Sequence, residues 1–66
     1  MEIKALLEVL DAVRKELGMS LKDALVWVDS QPLLSFGGET PMAMIEQGRG
    51  AAVLYYIRSI SNGYQG

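Results

Sequence analysis

Apolar side chains recur at Ile3, Leu6, Leu7, Leu10, Val13 and Leu17, while Glu2, Lys4, Glu8, Asp11, Arg14 and Lys15 fall largely on the other side. This three-and-four spacing puts one apolar stripe along a cylinder and predicts an amphipathic helix over 2–17. Lys4 with Glu8, and Asp11 with Lys15, stand four apart, where opposite charges meet on a helix surface. Gly18 follows the last periodic residue, where a left-handed C-terminal cap is wanted, and Met19 can fold back over the last turn.

Ser20 is then placed to cap a second helix over about 21–29, with Asp23 bringing a carboxylate to its first-turn amides. Leu21, Ala24, Leu25 and Val28 form its predicted inner stripe; Trp27 lies off that line and must either widen it or pack under the following loop. Pro32 forces Gln31 out of the α region, so this helix should end near Asp29 or Ser30. Leu33, Leu34 and Phe36 are too apolar to be left in water, so the loop 31–40 is expected to be ordered, with these three side chains turned inward. Gly37-Gly38 supplies a tight reversal, with positive φ at one of the two.

Thr40-Pro41 restarts the chain as a helix, since the threonine oxygen can satisfy an orphan amide and proline at the first helical position has no N–H to waste. A short third helix, about 41–47, ends at Gly48, and a fourth runs over about 50–61 with Val53, Leu54, Ile57 and Ile60 inside. Met42 and Met44 read as core filling before they read as an adaptable binding surface. On the opposite side of the fourth helix, Tyr55, Arg58, Ser59 and Asn62 share one face, and Tyr and Arg are the residue types that most often anchor interfaces. The expected fold is thus all-α, a small bundle of four helices in one domain, with an ordered apolar loop over 31–40.

Composition narrows the function. A chain of 66 residues buries only about 60% of the surface its unfolded form exposes, and such domains usually gain stability from disulfides, metals or association. There is no Cys and no His, so a disulfide is impossible and a transition-metal site would have to be built from carboxylates alone. With half of its residues hydrophobic, the chain is expected to leave apolar surface for another chain, a partner or a second copy.

The net charge is −2, and the six Lys and Arg are scattered over Lys4, Arg14, Lys15, Lys22, Arg49 and Arg58. No basic face forms, which argues against direct nucleic-acid binding. No apolar run approaches the length of a membrane span and no leader is legible, so the cytoplasm is the expected compartment.

Catalysis needs a nucleophile with a base in reach, or two carboxylates with separated affinities for protons. Ser20, Ser30, Ser35, Ser59 and Ser61 have no His to activate them, and Glu8, Asp11, Glu16, Asp23, Glu39 and Glu46 read as solvated helix faces and first turns. The Gly37-Gly38 pair lacks the following Lys-Ser/Thr of a phosphate loop. The expectation is a binding protein without catalytic, cofactor or metal-ligating residues.

The run from Trp27-Val28 through Pro32, Gly38-Glu39-Thr40-Pro41 and a last helix ending in Arg58, Ile60 and Gly63 resembles the toxin-binding domain of Xre/MbcA/ParS-type antitoxins. That family's pattern is a Trp-hydrophobic pair, a Pro, a Gly three residues before a second Pro, and a distal helix carrying Val, Leu and Ile before a Gly. The resemblance covers the chain from the first helix to Gly63 and implies an all-helical module that docks on a RES-domain, NAD-consuming toxin and obstructs its cleft. Carried over, partner binding falls to Tyr55, Arg58, Ser59, Asn62, Gly63 and Tyr64, with Trp27, Gly38 and Pro41 as scaffold. Family members usually carry a helix-turn-helix domain ahead of this one, and here the sequence begins directly at the toxin-binding region, as a stand-alone protein or a fragment. Pro32 also stands one residue further from Trp27 than the family pattern has it, and Leu33-Leu34 replaces a more polar turn. A self-associating adaptor, or an interaction module of a phage or defence system, is the alternative expectation.

Overall fold

The computed structural model describes residues 3–61. Four helices follow in order: α1, Ile3–Glu16; α2, Leu21–Ser30; α3, Pro41–Glu46; and α4, Gly50–Ser61, with one 3-10 turn, Leu34–Phe36, between α2 and α3. The domain is all-α, and each predicted helix is present with ends shifted by no more than a residue.

The punctuation works as the residue types dictate. Ser20 Oγ accepts a hydrogen bond from the Asp23 amide at 3.2 Å, and Thr40 Oγ1 accepts one from the Ala43 amide at 3.2 Å, each satisfying a first-turn donor that has no partner inside its helix. Pro41 occupies the start of α3 and is buried. Gly18, Gly37, Gly38 and Gly48 all take positive φ, so both glycines of the 37–38 reversal use the left-handed region that other residues avoid.

Helices α1 and α4 lie side by side and run in the same direction. Gly50, opening α4, sits so close to Ala5 that a Cβ built on it would lie 3.2 Å from the alanine methyl, and at the other end Ser61 Oγ donates to Glu16 Oε1 at 2.8 Å. The pairs 5/50 and 16/61 share one offset along the chain, so the helices keep register over their length. Helix α2 packs on α1 and α3, and α3 closes the bundle against α4. Between them lies a core of Val9, Leu10, Ala12 and Val13 from α1, Ala24 and Val28 from α2, Leu33, Met44 and Ile45, and Val53 and Ile57 from α4. Met44 is fully buried and Met42 packs against the core; Trp27 lies half-buried on the same cluster, widening the stripe of α2.

The predicted apolar stripes are wider than the core that receives them. Ile3 and Leu7 on α1, Leu21 and Leu25 on α2, and Ile60 on α4 were expected to face inward and are instead exposed. At about 100° per residue, Leu7 projects well over a quarter-turn away from the Val9–Val13 line, and the small neighbours of α1 do not reach that far round. Conversely Val9 and Ala12, absent from the predicted stripe, are buried because α4 covers the flank of α1 that carries Ala5 and Ala12. The Asp11–Lys15 pair closes at 3.2 Å, whereas no Lys4–Glu8 bridge forms.

The loop holds a second departure. Leu33 is fully buried and Phe36 half-buried, as expected, but Leu34 is 85% exposed. Leu33 exchanges a bridge with Glu39, its amide donating to the Glu39 carbonyl at 2.9 Å, and its own carbonyl accepts from Phe36 at 2.9 Å and Gly38 at 3.0 Å. With Leu33 pinned by these bonds, the tight 3-10 turn that begins at Leu34 swings the next side chain to the outside.

Candidate partner-binding surface

Helix α4 presents two chemically different sides. Val53 and Ile57 are fully buried and Leu54 half-buried, which fixes the rotation of the helix. Three- and four-residue spacing then sends Tyr55, Arg58 and Ser59 to the far side: Tyr55 is 74% exposed, Arg58 exposed, and Ser59 half-buried. The structure therefore brings these three residues of the predicted site onto one surface. Asn62, Gly63 and Tyr64, the other three, lie outside the described residues.

Arg58 also borders a groove between α1 and α4. This groove, about 410 Å³, is lined by Glu8, Asp11, Lys15 and Glu16 on one wall and by Leu54 and Arg58 on the other. Three carboxylates and two cations make it net acidic; Lys15 is engaged with Asp11, and Glu16 takes the Ser61 hydroxyl hydrogen bond. Ser61 also approaches the Arg58 carbonyl at 3.3 Å, so the hydroxyl bridges the last turn of α4 to the last turn of α1. These acids sit about 45 positions from their α4 neighbours, a separation at which no local spacing rule operates. Only the parallel α1–α4 pairing, itself set by the small residues Ala5 and Gly50, shows that Arg58 shares a groove with Glu8, Asp11 and Glu16.

A polar clamp holds the 33–39 loop. Arg49 stands with its guanidinium 5.8 Å from the Phe36 ring centre and 3.8 Å from the Glu39 carboxylate, and its Nη1 donates to Gln47 Oε1 at 3.0 Å. Gln47 Nε2 donates in turn to Glu39 Oε1 at 2.8 Å, and Phe36 meets the half-buried Tyr56 edge-on at 6.2 Å between ring centres. Tyr56 thus belongs to the scaffold, while its neighbour Tyr55 belongs to the surface. Trp27 packs against the core, Gly38 lies in the reversal and Pro41 is the buried first residue of α3.

No side-chain nitrogen or oxygen among the described residues is buried without a hydrogen-bond partner, and no group of three or more acidic residues among them is arranged to hold a metal ion. No helix of the described residues is long and apolar enough to cross a membrane. No protein-family model matches the chain, and no curated protein or solved structure is significantly similar to it.

Proposed function

We propose that this domain is an antitoxin-like module that docks through the outer side of α4 on a RES-type, NAD-consuming toxin and obstructs its active site. The observation that supports the reading is the surface of α4, where a tyrosine 74% exposed stands beside an exposed arginine on a helix whose rotation is fixed by fully buried Val53 and Ile57. Exposure of an aromatic ring on a rigid element is the arrangement that hot spots take, since little ordering remains to be done when the partner arrives. Obstruction needs no chemistry of its own; the bound complex only has to outcompete the substrate at cellular concentrations. The tail, with Asn62, Gly63 and Tyr64, continues from α4 in sequence and is the segment assigned to the cleft.

Co-expression with a RES-domain toxin tests this directly, with cellular NAD and growth as readouts. The wild-type chain should preserve both. Tyr55→Ala with Arg58→Ala should lose protection while keeping the wild-type circular dichroism and melting temperature, and removal of residues 63–66 should weaken it. Full protection by the double variant would overturn the assignment of α4.

A further inference from the structure

Helix α2 carries the single tryptophan of the chain, and the core covers only part of that side chain. Trp27 is half-buried, and together with Met19, Asp23, Val26, Ser30 and Gln31 it lines an open groove of about 400 Å³. Asp23, Val26, Trp27 and Ser30 follow three-and-four spacing, so the groove runs along one side of α2 for about 10 Å, from its first turn to its last. Met19, Trp27 and Val26, the last 59% exposed, give it apolar walls.

The charge left in this groove has one sign. Asp23 is exposed, and its carboxylate takes no hydrogen bond and no ion pair among the described residues. The Ser30 hydroxyl donates to the Val26 carbonyl at 2.6 Å and Gln31 Nε2 to the Pro32 carbonyl at 3.1 Å, so each is turned onto nearby backbone and does not answer the carboxylate. No Lys or Arg lines the groove. Its far end lies at the C-terminal turn of α2, where carbonyls without helical partners carry partial negative charge, and that turn holds Asp29 and no basic residue. A cation is therefore the missing complement at both ends.

We propose that this groove receives an arginine side chain from a segment of a partner protein, the guanidinium beside Asp23 and the Trp27 ring and the methylene stem along the apolar wall. Charge complementarity selects a cation, and the walls select its form. A small inorganic cation or a bare ammonium uses the carboxylate alone, whereas a planar guanidinium also stacks on an indole, and its stem covers Val26 and Met19. None of these residues belongs to the α4 surface, so the proposal stands or falls separately from the α4 reading.

Trp27, as the sole tryptophan, reports occupancy by its own fluorescence. The probe is the peptide acetyl-Leu-Arg-Leu-amide, and the control is the same peptide with citrulline, which keeps the shape of arginine and removes its charge. The arginine peptide should change the Trp27 emission saturably, with half-saturation on the order of 1 mM, as expected for one exposed cationic side chain. The citrulline peptide and Asp23→Asn should each weaken binding by about threefold or more. Val26→Arg, which supplies a cation to the groove from the chain itself, should abolish it, and Asp11→Asn, on α1, should bind as the wild type does. All variants should keep the wild-type circular dichroism. No saturable change with the arginine peptide, equal binding of the citrulline peptide, or wild-type binding by Asp23→Asn overturns the proposal. Binding of N-acetyl-arginine amide as tight as that of the tripeptide overturns a protein segment as the source of the arginine.

Discussion

At Gly50 the backbone of α4 meets the methyl group of Ala5 on α1. A Cβ there would lie 3.2 Å from that of Ala5, tighter than ordinary van der Waals contact, so the start of α4 can approach α1 only because both residues are small. Gly50→Leu should drive the two helices apart and cost about 1–3 kcal/mol, the usual range for overpacking, read as a lower melting temperature. Gly50→Ala should cost less, and pairing it with Ala5→Gly should recover most of the loss, because the double exchange moves the methyl from one side of the contact to the other. If Gly50→Leu melts with the wild type, α1 and α4 are not in contact there.

At the scale of the element, the 33–39 loop shows how two adjacent, identical side chains take opposite roles. Both leucines read the same in sequence, and their hydropathy predicts burial for both. The backbone separates them: the Leu33–Glu39 bridge and the amides of Phe36 and Gly38 hold Leu33 over the core, and the tight turn then directs Leu34 outward. Leu33→Ala should destabilise the domain by about 2–5 kcal/mol, as removal of buried leucines does. Leu34→Ala should stay within about 0.5 kcal/mol. Equal losses in denaturant titrations of the two variants would contradict the loop as described.

For the whole molecule, size is the governing quantity. At roughly 0.05–0.15 kcal/mol per residue, a domain of this length holds only about 3–10 kcal/mol of stability. Ile57, fully buried on α4, sits where a cavity would loosen the element that carries Tyr55 and Arg58. Ile57→Ala should cost about 2–5 kcal/mol, enough to consume a large part of that margin and leave a broadened thermal transition. A sharp transition within a few degrees of the wild type would show that the core is not organised around α4. The same narrow margin connects the fold to the proposed binding, because an α4 surface fixed by two buried side chains is only as rigid as the core beneath it.

Local chemistry was enough to define the four helices, their caps and their glycine-marked ends. Capping, proline geometry and three-and-four periodicity act within a few residues, so Ser20, Thr40, Pro41, Gly18 and Gly48 announce their structural roles directly. The common side of Tyr55, Arg58 and Ser59 was legible for the same reason, since rotation within one helix is a matter of spacing. What packing alone decided was how much of each stripe found a neighbour. Ile3, Leu7, Leu21, Leu25 and Ile60 have the hydropathy of core residues but lie beyond the reach of a bundle this small, while Val9 and Ala12 are buried because α4 covers that flank. The acidic groove beside Arg58 likewise arises only when parallel α1 and α4 bring together residues about 45 positions apart. Periodicity specifies a face; which part of that face is covered depends on how closely another helix can approach, and here that approach is governed by the small pair Ala5 and Gly50.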